Sequence, residues 1–541
     1  MGNWSSSSKK RKALPIDTQF KFPADDDIPV WPQDDGFARG IIDLGELQVF
    51  QVTSFNKVWS TFEGGPGNAG ATFFEPASVP EGFSMLGCYA QPNNKPLFGW
   101  VLVAKANSSA ENGALAEPVD YTLVWTNSSS GIEQGNTAYV WLPTAPDGYK
   151  AVGHIVTTLP EKPSVDRIRC VRSNLTDEIV THSWIWGTGK SSRDSNGFNV
   201  YNTRPKIRGI KAAGVPVGTF IAQNGRTDTS LSIPCLINTK LDFSTMPNLD
   251  QAKALIKTYA PLMYLHPDEK YLPSSVKWFF TNGALLYTRG KESEPVAIDP
   301  SGSVLPQGKD NDGAHWIDLP KDETNRERVK RGDLDSFQAY MHIKPMFGAT
   351  FTDISIWIFY PFNGPSRAKV GFVTIPLGKI GQHVGDWEHV TLRISNFNGG
   401  LNSVYFSQHS GGQWVDASEL EFVPGKNKPI AYSSLNGHAL YSKPGLVLQG
   451  TSVIGIRNDT AKSKKVVDLG NEFEVVAGEY LRSAITEPAW LNFGWQWGPK
   501  ISYKTEKALP KKLVGWLPSE LFGEEGPTGP QLKSSWNEDE R

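Results

Sequence analysis

Pro80-Glu81-Gly82-Phe83-Ser84-Met85-Leu86-Gly87, preceded by Phe74-Glu75-Pro76, is echoed by Pro146-Asp147-Gly148-Tyr149-Lys150-Ala151-Val152-Gly153, preceded by Trp141-Leu142-Pro143. Gly82 and Gly148 stand 66 residues apart. A Pro-Asp-Gly turn by itself occurs in any β protein. Here the aromatic residue before the turn and the glycine after it recur as well. A strand, a turn and a second strand repeated at this distance predict small sheets that bury their inner faces against one another. A third copy around Pro216-Val217-Gly218 is too altered to count.

Outward from this echo, residues 20–244 read as apolar runs of strand length, such as Leu47-Gln48-Val49-Phe50-Gln51-Val52 and Tyr121-Thr122-Leu123-Val124-Trp125, separated by polar loops. With the repeat, this predicts a β-prism-like N-terminal domain. A helix is expected from Asn248 to Tyr259, because Asn248 can cap it, Gln251 completes a capping box, and Ala252, Leu255, Ile256 and Tyr259 share one face. Pro261 stops it. This helix marks the seam with a second β domain, 245–521, followed by an extended tail over 522–541. Few other helices are expected, so the fold class is mainly β.

Composition excludes several classes. The 541 residues carry 54 Lys+Arg against 56 Asp+Glu, a formal net charge of −2, which argues against nucleic acid as a partner held by bulk charge. Three well-separated cysteines, Cys88, Cys170 and Cys235, exclude a disulfide scaffold and favour reducing cytosol. No apolar run approaches the roughly 20 residues needed to cross a bilayer as a helix. The segment 1–19 reads as a disordered basic tail. Met1-Gly2-Asn3-Trp4-Ser5-Ser6 fits the pattern for myristoylation of Gly2, and Lys9, Lys10, Arg11 and Lys12 follow. One acyl chain holds a membrane only marginally, and a polybasic segment supplies the second signal. The expected location is cytoplasmic and peripheral on a membrane through the N-terminus.

Chemistry concentrates late in the chain, where four of the nine histidines fall: His383, His389, His409 and His438. If 386–394 is a strand, its period of two puts Asp386 and Glu388 on one face with Val390, Leu392 and Ile394 behind them. Adjacent carboxylates repel unless something cationic lies between them. Either a hard divalent cation, Mg²⁺ or Ca²⁺, sits there with His383 contributing, or Arg, Lys and backbone amides satisfy the pair. His389 points to the other face, outside direct ligation. Zinc is disfavoured by the absence of a thiolate cluster. Lys309-Asp310-Asn311-Asp312-Gly313 lacks the downstream Glu of a calcium loop and reads as a solvated turn. Trp490, Phe493, Trp495 and Trp497 form either an interfacial, sugar-stacking surface or buried packing, and burial is expected because Trp is highly buried on average.

Val384-Gly385-Asp386-Trp387-Glu388-His389, Tyr405-Phe406-Ser407-Gln408-His409-Ser410-Gly411-Gly412 and Asn436-Gly437-His438-Ala439 resemble the vacuolar protein sorting-associated protein 62 family of fungi and plants. Tyr259-Ala260-Pro261, the run from His266-Pro267-Asp268-Glu269 to Ser275, Val30-Trp31-Pro32 and Asn363-Gly364-Pro365 extend the likeness to plant members over nearly the whole chain. The resemblance implies a part in vacuolar trafficking, with trafficking proteins among its partners. The segment from His383 to His389, with His409-Ser410-Gly411 and Gly437-His438-Ala439, is also similar to the NPP1-type necrosis-inducing cytolysins, β-sandwiches that bind sphingolipid headgroups. That likeness implies a C-terminal β-sandwich in which Asp386, Glu388 and His383 are metal ligands. Gly385 stands where that family has a second His, and Asn363 stands where it has a further Asp.

Three functions follow as expectations. The first is a membrane-associated protein that uses a cation to recognise a lipid or glycan headgroup, with His389, His409 and His438 in supporting or ligand-binding positions. The second is a membrane-damaging or defence protein, and the third a metal-dependent hydrolase with His389 or His409 as general base. No nucleophile elbow, phosphate loop or zincin motif accompanies the third, so no catalytic residue is assigned. If Gly2 carries the anchor, Gly2→Ala moves the protein from membrane pellet to supernatant at moderate salt in cell fractionation; unchanged partition removes the anchor.

Overall fold

Three antiparallel sheets of three strands wall a single core in the first unit of the computed structural model. The sheets are Phe55–Thr61, Ala71–Pro76 and Tyr89–Pro92; Asp120–Thr126, Tyr139–Thr144 and Ile155–Thr157; and Ile179–Gly187, Phe198–Pro205 and Phe220–Asn224. Each sends large side chains inward, among them Trp59 and Phe73, Tyr121 and Trp141, and Trp186 and Phe220. The structure describes residues 13–24, 36–107, 113–129, 136–188, 197–224, 233–409, 411–451, 453–478, 480–481, 483–501 and 526–541. The Gly2 anchor with its basic residues, Val30-Trp31-Pro32 and Ser410 lie outside the described residues. Arg39–Asp242 with Phe347–Ala349 belong to this first unit, and Phe243–Met346 with Thr350–Arg541 to the second.

The repeat is threefold. Gly87, Gly153 and Thr219, each 66 residues from the next, meet at one point. A Cβ added to Gly153 would lie 2.6 Å from Leu86 O, 2.8 Å from Gly87 Cα and 2.9 Å from Thr219 Cγ2. The neighbouring positions are stitched in the same order: Cys88 N–H donates to His154 O at 2.8 Å, and His154 Nδ1–H donates to Phe220 O at 3.2 Å. Burial holds the His154 imidazole neutral, its pKa pushed down to about 4. The third copy escapes the sequence pattern because its turn is longer. Pro76 and Pro205 end a middle strand and Pro143 stands one residue before the end of another, but Gly87 and Gly153 follow after 11 and 10 residues and Thr219 after 14.

Helix Leu249–Tyr259 forms as expected, with Asn248 Oδ1 accepting from Gln251 N–H and Gln251 Oε1 accepting from Asn248 N–H, both at 2.9 Å. The second unit is built on a six-stranded sheet in the order Gly411–Asp416, Leu401–Gln408, His383–Ser395, Phe351–Asn363, Ala339–Met346, Phe473–Ala477. Its two central strands are thirteen residues long and paired antiparallel end to end, from Phe351 opposite Ser395 to Asn363 opposite His383. A four-stranded sheet, Leu440–Tyr441, Ile430–Ser433, Leu262–Tyr264 and Val466–Asp468, packs on one face: Tyr360 Oη lies 3.3 Å from Ser433 Oγ. On the opposite face lie Trp490, Phe493, Trp495 and Trp497, all buried with Trp357, Phe359 and Trp387. They are packing, as the burial argument expected. The 310–312 turn is tied to this cluster, since Trp495 Nε1–H donates to Asp312 Oδ1 and Gln496 Nε2–H to Asn311 Oδ1, both at 2.8 Å.

The chain end departs from the extended tail expected over 522–541. Residues 526–541 run through the 3₁₀ turns Pro530–Leu532 and Ser534–Trp536 and are sewn onto the sheet. Trp536 stacks on His342 at 3.9 Å, and Arg393 holds both Asp353, through two hydrogen bonds of 2.9 and 2.8 Å, and Asp539 at 2.6 Å. A buried arginine needs such partners, and the tail supplies one. Among the described residues no helix is long and apolar enough to cross a membrane.

Overpacking of a close backbone contact costs about 1–3 kcal/mol. Gly153→Ala is therefore expected to lower the unfolding free energy of the first unit by that order, read as a lower urea midpoint, and an unchanged midpoint would show that the three repeats do not meet there.

Candidate functional site

The candidate site occupies the end of the central strand pair that faces the four-stranded sheet. Asp386 and Glu388 share one face of strand His383–Ser395 with Val390, Leu392 and Ile394 behind them, as strand periodicity expects, and both carboxylates are buried. The side-chain alternation changes at Gly385, whose φ of +64° is left-handed and whose Cα is pressed against Trp497, so that an added Cβ would fall 2.5 Å from Trp497 O. A histidine at this position would meet the Trp497 backbone.

Asp386 is engaged by a histidine from the loop between strands Ile430–Ser433 and Leu440–Tyr441. His438, fully buried and itself at φ +56°, directs Nδ1–H to Asp386 Oδ2 at 2.9 Å. Its Nε2 faces Glu269 Oε2 at 3.8 Å, an ion-pair distance too long for a hydrogen bond. Its ring lies flat on Tyr360, with centroids 3.8 Å apart and planes 6° from parallel. Burial works against the charged imidazole, but Asp386 and Glu269 overcome it and raise the His438 pKa to about 9. Glu269 is fixed in turn by the backbone: Oε2 accepts from Asn436 N–H at 2.6 Å, and Oε1 from the N–H groups of Lys270 and Tyr271 at 2.9 Å each. A buried imidazolium is thus clamped between two carboxylates.

Glu388 is paired with no histidine, and the positive charge of Lys533 reaches it, Asp386 and His383 alike. Burial first, and then the negative charge of Asp386, push the Glu388 pKa up to about 8, while a short hydrogen bond from Ser407 Oγ opposes the rise. His383 sits beside this pair. A carbonyl can only accept, so the 2.9 Å contact with Gly385 O places the proton on His383 Nδ1 and leaves a lone pair on Nε2, which lies 3.9 Å from Asp386 Oδ1. Burial lowers the His383 pKa and keeps the ring neutral. Asn363, opposite His383 in register, spends its Nδ2 on Gly381 O at 2.6 Å and Gly364 O at 3.2 Å.

The other histidines are placed elsewhere. His389 lies on the opposite sheet face, 4.4 Å from the Trp357 ring, with Nε2 at 3.1 Å from Glu540 Oε2. His409 Nε2–H donates to Asn458 Oδ1 at 2.9 Å. Among the described residues no group of three or more His, Cys, Asp and Glu side chains is gathered in a way that could hold a metal ion. Sequence reasoning did not assign Glu269, Ser407, Asp539 or Glu540. The first two stand within motifs already quoted, but their contacts span 167 and 19 residues, and no local spacing carries them.

The chain belongs to the vacuolar protein sorting-associated protein 62 family, whose profile matches residues 16–540. Vacuolar protein sorting-associated protein 62 of Saccharomyces cerevisiae is 24% identical over 323 residues, which cover 51% of this chain and 64% of the yeast protein. The match thus spans less than two thirds of that relative's length. Among solved structures, GNIP1Aa from Chromobacterium piscinae aligns at 18% identity and a TM-score of 0.29 over 36% of this chain and 38% of its own. NLPPya in complex with mannosamine aligns at 14% and 0.20, over 36% of this chain and 67% of its own. Necrosis and Ethylene inducing Protein 2, from the agent of cocoa's Witches Broom disease, aligns at 14% and 0.18, over 35% and 67%.

The pH response follows from the two raised groups. His438, at about 9 when folded against about 6.5 unfolded, contributes stability that is whole below pH 6.5 and is lost as pH rises through 9. Glu388, at about 8 against about 4.5, has the same sign, its contribution being lost between pH 4.5 and 8. In EDTA-treated protein the urea midpoint of the second unit is expected to fall steadily from pH 6.5 to 9, and Glu388→Gln to flatten the slope. A wild-type midpoint that holds level across that range would contradict the network.

Proposed function

We propose that this protein is a membrane-associated binding protein in which Asp386, Glu388 and His383, with Asn363, hold a hard divalent cation, Mg²⁺ or Ca²⁺, for recognition of a lipid or glycan headgroup in vacuolar trafficking. The observation that carries the reading is a surplus of acceptors. The His383 Nε2 lone pair and Asp386 Oδ1 face each other at 3.9 Å, and Glu388 on the same face is driven toward its neutral form by burial and then by its neighbour's charge. Two acceptors at that separation repel unless a positive centre lies between them.

As they stand, these side chains form no ready-made cage of three His, Asp or Glu ligands, and Mg²⁺ held by one or two carboxylates keeps several waters and requires none. His438 bonds Asp386 through Oδ2, which leaves Oδ1, on the His383 side, for a cation. When bound, such an ion presents open positions to anionic or hydroxyl oxygens of a headgroup. The chain's own residues orient these groups: Gly385 O sets the His383 tautomer, His438 holds Asp386, and Ser407 holds Glu388. Binding is favoured over hydrolysis because His389, the nearer candidate base in sequence, lies on the sheet face opposite Asp386 and Glu388, beside Trp357 and Glu540. Gly2 acylation would supply the membrane tether, and trafficking proteins would be the partners.

Calorimetric titration of EDTA-stripped protein with Ca²⁺ and with Mg²⁺ tests the reading. Saturable binding is expected in the wild type and its loss in a folded Asp386→Ala/Glu388→Ala variant. No heat of binding in the wild type returns the two carboxylates to a structural role.

A further inference from the structure

Between Asn363 and His383, which face each other in register, the chain leaves the central sheet as a hairpin. Strands Arg367–Val370 and Val373–Pro376 pair so that Val370 faces Val373, which leaves Gly371-Phe372 as a two-residue turn with Gly371 at φ +61°. Such turns ordinarily carry Gly, Asn, Asp or Ser. Here the second residue is a phenylalanine with full solvent exposure, 106%, followed by Val373 at 61%. A second hairpin, Gly445–Gly450 with Ile454–Thr460, completes with the first a separate four-stranded sheet in the order Val373–Pro376, Arg367–Val370, Ile454–Thr460, Gly445–Gly450, and the ends of the two hairpins are joined by Gly371 N–H donating to Val453 O at 2.9 Å. Val453 is 58% exposed, and Leu446 and Val447 on the edge strand are 41% exposed. Of the fourteen large hydrophobic side chains exposed among the described residues, five stand on this sheet and its turns.

The charge around these tips is one-sided. Segments 366–382 and 442–460 hold five basic side chains, Arg367, Lys369, Lys379, Lys443 and Arg457, against a single acid, Asp459. That acid is taken by the two arginines, with Arg367 Nη2 and Arg457 Nη2 each at 2.6 Å. An apolar tip in a basic surround matches the profile of an anionic bilayer, with acyl chains below and phosphates above. A fluid bilayer also asks for no matching pocket, whereas a protruding phenylalanine on a protein partner would need one.

We propose that the paired hairpin tips, led by Phe372 with Val373 and Val453, insert into the interface of an anionic phospholipid bilayer. Four residues of strand Arg367–Val370 span about 13 Å, which sets the distance from the tip to the hairpin's root. Apolar groups that sink about 5–10 Å into the interface would leave that root, with Asn363 and His383, at the level of the headgroups. The insertion rests on exposed side chains and needs no cation at Asp386, so it goes beyond the headgroup reading and stands or falls separately from it.

The test uses full-length, unacylated protein and large vesicles of phosphatidylcholine with or without one quarter phosphatidylserine. Co-sedimentation with the anionic vesicles is expected to drop at least tenfold for Phe372→Ser/Val373→Ser, with an unchanged thermal midpoint, because these side chains support nothing in the fold. The three native cysteines are buried, so Phe372→Cys can be labelled selectively with an environment-sensitive dye, whose emission is expected to shift to the blue on anionic vesicles. Wild-type protein that fails to bind, a double variant that binds as well as wild type, or a dye that stays aqueous would overturn the proposal. So would a Phe372-dependent dimer in vesicle-free solution, which would assign the tips to a second copy. Asp386→Ala/Glu388→Ala and EDTA form a separate arm: loss of binding there with Phe372→Ser/Val373→Ser still bound supports the cation reading and rejects insertion, and the reverse result supports insertion and rejects the cation as its cause.

Discussion

The second unit depends on one pairing: strand Phe351–Asn363 against His383–Ser395, thirteen residues each, with no slip along their length. In Phe351–Asn363 every residue is buried, and in His383–Ser395 all but His383 are. Both faces must therefore be covered by protein, and polar groups on either face must find partners within it. One face takes Asp386 and Glu388 to the four-stranded sheet. The other takes His389, Thr391 and Arg393 to the last residues of the described chain, where Asp539 and Glu540 meet them. A single strand thus carries an excess of acid on one side and a need for acid on the other, and the fold meets the two differently.

On the side that needs acid, the account is closed. Arg393 is satisfied by Asp353 and Asp539, and the tail is anchored by Lys344 Nζ donating to the carbonyls of Ser535 and Glu538. On the acid-rich side, His438 neutralises part of the surplus, and Glu388 is left with a serine hydroxyl beside a charged neighbour. Removing one partner from a buried pair is costly because the remaining charge is stranded. That imbalance, at the end of the strand pair from which the Arg367–Pro376 hairpin departs, makes this region the best candidate for a ligand site. The hairpin's exposed apolar tip lies on the same excursion of chain, so the two features share a support without sharing a chemistry.

Part of this was legible in the residues. The i, i+2 placement of Asp386 and Glu388, the helix with its Asn248 capping box and the 66-residue echo are local patterns, set by strand period, cap chemistry and turn chemistry. The third repeat was hidden because a longer turn after Pro205 displaced the motif while leaving Thr219 in place. Glu269 and His438 could not be joined to Asp386 by any spacing rule, since both stand in loops far along the chain from the strand that carries it. Gly and Pro at the start of the tail predict an extended segment, yet Trp536, Asp539 and Glu540 are buried against partners on the sheet.

What the sequence alone determined was the kind of each element and which side chains share its faces, because these depend on neighbours within a few residues. It also determined the family, through motifs strung along the chain in order. Only the tertiary structure decided how each charge is paired: His438 to Asp386, Glu540 to His389, Asp539 to Arg393. Likewise, only the folded sheet shows Phe372 standing free while Trp490, Phe493, Trp495 and Trp497 are buried. The reason is physical, in that burial and electrostatic partnership are set by distance in space, and a chain this rich in long-range strand pairing brings together residues that no local pattern connects.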